Sequence, residues 1–533
     1  MVRHVNLSAT GITVIYIFKD NGNRKIVSMK NNILFGYLSQ GYTTAIGIVV
    51  VPLYLKYMGA EVFGLVGFFA ILQAWFNLLD IGLTPTMARE TARFCGGAID
   101  GFTFRRLVRA LEGIFLAVAL VGGGVLIVAS GWVATEWLTV QQLPINEVQT
   151  AIQLMAVSVS LRWMSGLYRG QISGSERLVW LGGYNALIAT IKFVGVLPVL
   201  MFLSITPSTF FSYQVCVAIV ELAGLMVMAY RLLPPLSPGK RLSWSWTPLK
   251  PVLNFSLMIA FTSSVWVLVT QTDKLVLSKI LPLAEYGIFT LAVLAASGVM
   301  LISGPVSGAI MPRMVKLEAE GDHAGLISVY RQSTQLVAVI AGAASITLAF
   351  CAEPLLWAWV GDKNLAQQAA PILKLYAIGN GILAVSAFPY YLQYAKGNMR
   401  LHLIGNAGFG VLLIPAIILA ASHYGGIGAG YVWLAINAMY FVAWIPLVHK
   451  NLEPGLNLSW FLRDVLAIGL VASVVGYVLY VIFPHSNNRW WQLGEVLMFG
   501  VLVLMSGALA SSHVWAKVKA QFRNQPLKEK RAV

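Results

Sequence analysis

The chain has 533 residues, of which 58% are hydrophobic and 11% are charged, and its mean hydropathy is +0.74. Because a soluble domain carries about 25% charged residues, this composition excludes a soluble multidomain protein. The formal net charge of +16 does not indicate a nucleic-acid partner, because the basic residues lie in alternate loops between apolar runs. That pattern is typical of an integral membrane protein.

Apolar runs of about 20 residues, each long enough to cross a bilayer as a helix, recur along the whole chain. They predict an all-α polytopic membrane protein with about fourteen transmembrane helices. The predicted spans are residues 33–55, 62–85, 111–133, 149–171, 179–203, 208–231, 252–280, 287–311, 331–352, 371–395, 401–421, 427–448, 464–483 and 494–514.

Lysine and arginine are distributed unequally between the two predicted sides of the membrane. With the N-terminus placed inside, 29 of the 37 basic residues lie in inner segments. Only Lys56, Lys279, Lys363 and Arg489 lie in outer segments. Since cytoplasmic loops carry the excess of Lys and Arg, this distribution predicts that both termini are cytoplasmic.

Neither the cysteines nor the first residues predict a covalent feature. Cys95, Cys216 and Cys351 are far apart in the sequence, which indicates neither a metal site nor a disulfide framework. The apolar stretch 7–18 is interrupted by polar residues, and no small-residue cleavage site follows it, so a cleavable signal is not expected. We expect a cytoplasmic extension at residues 1–30, with residues 1–28 dispensable.

An internal repeat appears at an offset of 223 residues. Fifteen ungapped positions contain five identities, where about one is expected by chance. Each copy holds six predicted spans, so both copies enter the membrane in the same sense, and transporters with such parallel repeats bind substrate between the halves. The identical pairs are Tyr168 and Tyr391, Gly174 and Gly397, Arg177 and Arg400, Leu178 and Leu401, and Gly182 and Gly405.

The repeat and the linker composition predict the division of the chain. A segment rich in proline and basic residues separates the two copies, and two further spans follow the second copy. The predicted parts are an N-terminal extension (1–30), an N-lobe (31–232), a cytoplasmic linker (233–250), a C-lobe (251–450), two C-terminal helices (451–514) and a basic cytoplasmic tail (515–533).

Two stretches carry a resemblance to a known family. ILFGYLSQGYTTAIGIVVVPLYLKYMGAEVFGLVGF at residues 33–68 and TQTDKLVLSKILPLAEYGIFTLA at residues 270–292 resemble the polysaccharide and O-antigen flippases. That family belongs to the superfamily that includes multidrug-and-toxin extruders and the lipid II flippase. In span number and loop pattern the resemblance covers residues 30–450, and the two extra spans resemble the fourteen-span members.

The resemblance implies two six-helix lobes around a central cavity in a bacterial inner membrane. It implies that the protein moves an undecaprenyl-diphosphate-linked oligosaccharide from the inner to the outer leaflet for surface polysaccharide or O-antigen biosynthesis. It also implies a proton or sodium gradient as the driving force, with no bound cofactor or metal. The expected partners include membrane lipids. The resemblance alone also implies polysaccharide polymerase and chain-length proteins as partners.

Polar residues at helical spacing mark one face of several predicted spans. Such rows are not expected on a lipid-facing surface, so they predict either a cavity lining or helix–helix contacts. Arg169, near the cytoplasmic end of its span, is expected to extend toward lipid headgroups. The rows are Asn32, Gly36, Ser39, Thr43 and Gly47; Gln73, Asn77, Asp80 and Thr84; and Ser158, Arg162, Ser165 and Arg169.

Arg162 and Lys192 lie within predicted spans and are the strongest candidates for substrate binding. A lipid diphosphate must lose water to cross a membrane, and fixed cations can replace that hydration with charge-assisted hydrogen bonds. Structural alternatives remain open for both residues. Arg162 could form an ion pair with Asp80, and Lys192 could reach Glu221 on the next span, either as a structural pair or as a proton-sensitive gate.

The stretch 254–287 opens the second repeat and carries two charges inside an apolar span, Asp273 and Lys274. Ser263, Trp266 and Thr270 precede Asp273 at three- and four-residue spacing, which places them on one helix face. Adjacent residues point about 100° apart on a helix, so we expect no direct contact between the two charges. Lys274 completes the predicted cationic cavity, whereas Asp273, Glu221 and Asp80 are candidates for ion coupling or gating.

Two other functions remain as alternatives. A multidrug exporter of the same superfamily needs an acidic or apolar cavity for cationic drugs, whereas the cations within these spans favour an anionic ligand. A membrane polymerase or glycosyltransferase of the same pathway needs a large outer loop with clustered catalytic residues. The longest outer loop, about residues 352–370, offers Glu353 and Asp362 without a neighbouring His or Arg, so we do not expect an enzyme.

Overall fold

The computed structural model describes residues 4–8, 11–15, 29–80, 82–235, 267–268, 270–482 and 488–512. Four predicted parts of the chain lie largely outside the described residues. They are the N-terminal extension 1–30 apart from residues 4–8, 11–15, 29 and 30, most of the linker 233–250, the start of the span 252–280 with Ser263 and Trp266, and the basic tail 515–533.

Helices account for almost all of the described chain, as the apolar periodicity predicts. A 3₁₀ turn (Asn77–Asp80) and three π-helical turns (Val133–Trp137, Tyr440–Trp444, Trp460–Leu466) interrupt or extend them. The helices are α1 (Met29–Phe76), α2 (Leu83–Cys95), α3 (Gly101–Trp132), α4 (Ile145–Gly174), α5 (Leu178–Phe193), α6 (Val196–Phe202), α7 (Pro207–Arg231), α8 (270–280), α9 (Leu283–Ala319), α10 (His323–Phe350), α11 (Ala352–Val360), α12 (Lys363–Ser386), α13 (Phe388–Ala395), α14 (Arg400–Met439), α15 (Ile445–Leu452), α16 (Leu456–Ser459), α17 (Ala467–Ile482) and α18 (Arg489–Ala510).

Among the described residues, ten helical stretches are long and apolar enough to cross a membrane. Two of them contain a break at a glycine with positive φ, Gly59 in α1 and Gly425 in α14. Each of these two helices therefore consists of two segments, which correspond to pairs of predicted spans. The helical, polytopic class is confirmed, and the number fourteen stays a prediction.

The N-terminal extension departs from the all-α expectation. Strands β1 (His4–Ser8) and β2 (Gly11–Ile15) pair antiparallel, with His4 opposite Ile15 and Ser8 opposite Gly11. The second strand reads GITVI, and β-branched residues such as these favour extended backbone. An all-helical description is therefore wrong for residues 4–15.

The chain divides into two compact units. The first unit comprises Met1–Gly59 and Phe69–Val267, and the second comprises Ala60–Phe68 and Leu268–Val533. In the first unit α4 packs against α2, α3 and α7, and in the second unit α12 packs against α9, α10 and α14 while α17 and α18 pack against α10. The predicted part boundaries, with lobes at 31–232 and 251–450, stay a prediction.

Glycines let α4 lie very close to α2 in the first unit. A Cβ added at Gly170 would lie 2.6 Å from the carbonyl oxygen of Thr84, and one at Gly174 would lie 2.2 Å from that of Ala88. Small residues four apart on one face allow two helix backbones to approach in this way. Arg169 immediately precedes Gly170 and therefore points about 100° away from this glycine face, which leaves it clear of the close contact with α2.

Candidate functional site

A cavity of about 730 Å³ lies within the first unit, between α1, α4, α5 and α7. Its lining combines apolar residues with polar side chains from the rows that the sequence singles out. Gly47, Ser158 and Ser165 belong to those rows but are not part of the lining. The row residues that line the cavity are Gly36, Ser39, Thr43, Gln73, Asn77, Asp80, Thr84, Arg162 and Arg169.

Five charged residues line this cavity: Arg162, Arg169, Lys192, Glu221 and Asp80. Arg162 and Arg169 are seven residues apart on α4, which places them on one helix face two turns apart. Lys192 comes from α5 and Glu221 from α7. With three cations and two carboxylates, the lining has a net positive formal charge.

The guanidinium of Arg162 is almost completely buried and only partly satisfied. Its Nη2 donates a hydrogen bond of 2.9 Å to Gln214 Oε1, and its Cζ lies 5.6 Å from the ring centroid of Phe69. Its Nε makes no hydrogen bond to any described residue. A buried charge without its full set of hydrogen bonds is unfavourable, so an anion that accepts from Nε would be stabilised here.

The predicted ion pair between Arg162 and Asp80 is wrong. The Asp80 carboxylate accepts hydrogen bonds from Thr84, 2.8 Å from the hydroxyl and 3.2 Å from the backbone nitrogen. Thr84 follows Asp80 by four residues, at the start of α2, so this carboxylate acts as a local cap of the helix start. Asp80 therefore lines the cavity with its charge already engaged.

The predicted pair between Lys192 and Glu221 is also wrong. Glu221 Oε1 lies 2.6 Å from Arg169 Nη2, and Oε2 lies 4.0 Å from Arg162 Nε. Arg169 also donates to the side-chain oxygen of Asn185. Arg169 thus turns into the cavity rather than extending to lipid headgroups, because a largely buried carboxylate offers it a stronger partner than the membrane surface.

Lys192 lies on the same cavity wall without a carboxylate beside it. Its Nζ lies 4.8 Å from the ring centroid of Phe193, a cation–π distance. Within the described part of the chain, no carboxylate oxygen lies within 4.0 Å of this ammonium group, and Glu221 is engaged by the two arginines. Lys192 and Arg162 are therefore the two cations of this wall with unused capacity for an anion.

The structure places Asp273 and Lys274 in the second unit, outside the lining of this cavity. The expectation that they do not touch is wrong, since Lys274 Nζ lies 3.1 Å from Asp273 Oδ1 and donates to the Thr270 carbonyl at 2.6 Å. The flexible lysine stem folds back along α8 and brings its charge to the neighbouring side chain. Tyr376 donates to the other Asp273 oxygen at 2.8 Å, and Asp273 is fully buried.

Gln214 and Asn185 belong to the site but were missed by the sequence analysis. Gln214 precedes Glu221 by seven residues on α7, and Asn185 precedes Lys192 by seven residues on α5. Both pairs share a helix face, so the helical spacing around each predicted charge was the signal that could have found them.

Comparison with known proteins gives a family match. A protein-family model described as polysaccharide biosynthesis protein matches residues 29–318, which is more than half of the chain. The sequence matches none of the curated proteins with which it was compared.

Solved structures of similar fold are found at low sequence identity. One is the lipid II flippase MurJ in an inward closed conformation, with a TM-score of 0.67 at 14% identity over 91% of this chain and 99% of that chain. Another is a multidrug resistance MATE family transporter of the MOP superfamily in its inward-facing conformation, with a TM-score of 0.62 at 14% identity over 79% of this chain and 98% of that chain. A third is a MOP superfamily transporter from Pyrococcus furiosus, described as having a binding pocket of reverse polarity, with a TM-score of 0.51 at 12% identity over 79% of this chain and 96% of that chain. These likenesses show the MOP superfamily fold.

Proposed function

The chain belongs to the polysaccharide biosynthesis protein family, and from that premise we propose that it is a flippase for a lipid-linked oligosaccharide. The substrate is an undecaprenyl-diphosphate-linked oligosaccharide, moved from the cytoplasmic to the outer leaflet of a bacterial inner membrane for surface polysaccharide or O-antigen biosynthesis. The proposal includes fourteen spans in two six-helix lobes that alternate access between the two sides. Polymerase and chain-length proteins are its expected partners.

One observation supports this proposal most directly: a buried guanidinium with an unbonded nitrogen shares a cavity wall with a lysine that has no carboxylate beside it. Arg162 Nε and Lys192 Nζ both offer hydrogen-bond donors to an incoming anion. A diphosphate has several charged oxygens, and a planar guanidinium fork can bind two of them at once. The cation cluster therefore suits the one part of the substrate that is hardest to remove from water.

The rest of the lining suits the sugar part of such a substrate. Hydroxyl and amide side chains from α1 and the turn that follows it face the same cavity, among them Thr43, Gln73 and Asn77. Side chains that both donate and accept hydrogen bonds match sugar hydroxyl groups, which do the same. A cavity with a cationic wall and an uncharged polar wall corresponds to a ligand that is anionic at one end and hydroxylated at the other.

We propose an ion gradient, of protons or sodium ions, as the driving force. Of the three carboxylates considered for coupling or gating, Asp273 is enclosed by Lys274 and Tyr376, and Asp80 is engaged by Thr84. Glu221 is the one that faces substrate-binding cations in the cavity. Coupling or gating is therefore assigned to Glu221 ahead of the other two.

The test is lipid-linked sugar accumulation in cells that lack the protein. The cells are complemented with wild type, Arg162→Ala, Lys192→Ala or Arg109→Ala, and each variant is quantified in the membrane fraction. Arg109 is the matched control, because it is an arginine of the same unit whose side chain is 64% exposed and which does not line the cavity.

Accumulation on the inner leaflet that wild type and Arg109→Ala relieve, but the two cavity variants do not, is the expected result. Relief by both cavity variants would keep the flippase and remove the cation site. Absence of accumulation, together with a change in sensitivity to cationic drugs, would contradict the flippase and support an exporter.

A further inference from the structure

A single carboxylate already pairs with the arginines of the proposed diphosphate site. Glu221 is 7% exposed, and its two oxygens approach two different guanidinium groups. Oε1 lies 2.6 Å from Arg169 Nη2, and Oε2 lies 4.0 Å from Arg162 Nε. The second distance is too long for a hydrogen bond, so Glu221 pairs fully with Arg169 and only electrostatically with Arg162.

The guanidinium groups hold the carboxylate of Glu221, whereas a separate contact fixes its backbone. Tyr184 Oη donates to the carbonyl oxygens of Val220 at 2.8 Å and Glu221 at 3.2 Å. The carboxylate can therefore leave the guanidiniums by rotation about its own side-chain bonds, without movement of α7. Both arginines keep a neutral partner when it leaves, because Arg169 also bonds Asn185 and Arg162 also bonds Gln214.

We propose that Glu221 is an internal counter-ion that the substrate displaces, and that this exchange makes the cavity selective for a diphosphate over a single phosphate. The inference rests on the proposed function, because it concerns the same cation wall. A ligand with a single phosphate puts one anion in place of another between the two arginines. Its binding free energy therefore exceeds that of the resident carboxylate only slightly. A diphosphate can occupy the positions of both Glu221 oxygens and still present oxygens to Lys192.

The exchange also limits how tightly any anion is held. The observed affinity is the difference between the ligand's interaction with the cations and the interaction of Glu221 that is lost. A site with three uncompensated cations would bind a diphosphate strongly and release it slowly, whereas return of Glu221 assists release. Glu221 is thus a residue that determines specificity by competition and does not itself contact the ligand.

The experiment uses the full chain, purified in detergent micelles, and two probes that differ by one phosphate: farnesyl diphosphate and farnesyl monophosphate. Binding is measured by titration calorimetry for wild type, Glu221→Gln, Glu221→Asp and Glu112→Gln. Glu112 is the matched control, since it accepts hydrogen bonds from Tyr168 and Tyr230 in the same unit and does not line the cavity.

Wild type is expected to prefer the diphosphate by about tenfold or more, which corresponds to about 1.4 kcal/mol or more. Glu221→Gln is expected to bind both probes more tightly, with the larger gain for the monophosphate, so that the preference falls to about threefold or less. Glu221→Asp, whose shorter side chain withdraws from Arg162, is expected to give an intermediate preference. Glu112→Gln is expected to retain the wild-type preference.

An unchanged preference in Glu221→Gln, in a protein whose binding is lost on Arg162→Gln, would overturn the counter-ion and keep the proposed site. Weaker binding of both probes by Glu221→Gln would also overturn it, because Glu221 would then be shown to position the cations. Absence of binding by wild type and every variant would instead contradict the proposed function. If Glu221→Gln does not fold, an unchanged preference in folded Glu221→Asp would be equally decisive against the counter-ion.

Discussion

The two helical units contain buried charges, but they satisfy them to different extents. In the first unit, Arg162 has an unbonded nitrogen and Lys192 has no carboxylate beside it, and both line a cavity. In the second unit, Asp464 is fully buried and accepts from Arg331 at 2.6 and 3.1 Å and from Gln335 at 2.7 Å. The cavity cations of the first unit thus leave hydrogen-bonding capacity for a ligand, whereas the Asp464 network of the second unit uses it within the fold.

This difference shows that burial of a charge does not by itself indicate a functional site. A buried carboxylate that receives all its hydrogen bonds from the same fold is a structural element, and removal of its partners destabilises the protein. A buried cation with an unsatisfied nitrogen has a cost that an incoming hydrogen-bond acceptor removes. Structural charges and ligand-binding charges in this chain therefore differ in how completely they are hydrogen-bonded, more than in how deeply they are buried.

The largest loss of stability is expected when the fully hydrogen-bonded carboxylate of Asp464 in the second unit is removed. Asp464→Ala would leave Arg331 and Gln335 without their common acceptor. Because the side chain of Arg331 is 31% exposed, the expected cost is that of lost charged hydrogen bonds rather than of a fully buried pair, about 1.5–3 kcal/mol. The measurement is the thermal unfolding midpoint in detergent, with Asp464→Asn as the milder variant because its amide oxygen still accepts. A midpoint like that of wild type for Asp464→Ala would show that this network is not structural.

The same substitution in both units tests the comparison directly. Arg162→Gln is expected to weaken binding of farnesyl diphosphate by about ten- to a hundredfold, the value of one charge-assisted contact, without lowering the unfolding midpoint. Arg331→Gln is expected to lower the midpoint and to leave binding unchanged. Both proteins are measured in both assays, and a variant that changes stability and binding together would break the distinction between the units.

A smaller loss of stability is expected at Asp273, another buried carboxylate of the second unit. Tyr376→Phe removes one hydrogen bond to Asp273 and leaves its contact with Lys274, so the expected cost is about 1.5 kcal/mol. It should appear as a modestly lower unfolding midpoint with unaltered farnesyl diphosphate binding. Tyr376 also stacks on Trp433, with ring centroids 5.7 Å apart, and phenylalanine preserves that contact. Loss of binding in this variant would indicate that Asp273 takes part in function.

The smallest effect is expected at an exposed pair, which sets the baseline for the others. Lys316 lies 3.5 Å from Glu320, with side chains 71% and 52% exposed. Solvent screens such a pair, so Lys316→Ala should change the free energy of unfolding by no more than about 0.5 kcal/mol. A drop comparable to that of Tyr376→Phe would show that the stability assay responds to something other than buried hydrogen bonds.

Helical periodicity allowed the sequence to predict which faces carry polar residues, because the positions of side chains around a helix depend only on spacing. It therefore identified Arg162 as a residue with inward-facing charge, whereas Lys192 was predicted from its charge within an apolar span. Periodicity could not predict that Glu221 pairs with Arg169, because this pairing depends on the relative heights of three helices and on side-chain rotamers. The Asp80–Thr84 contact is local, four residues apart, and could have been predicted from the sequence.

The π-helical turn Trp460–Leu466 makes the length of this segment more tolerant of change than that of the helix it precedes. Its backbone hydrogen bonds span five residues rather than four, so this turn accommodates one residue more than an α-helix does. Deletion of one residue here would convert the turn to regular α-helix and keep the contact face of α17 turned toward α10. The same deletion within α17 would instead rotate everything after it by about 100°. A change of length is therefore best accommodated in this turn, provided that Asp464 keeps its contact with Arg331.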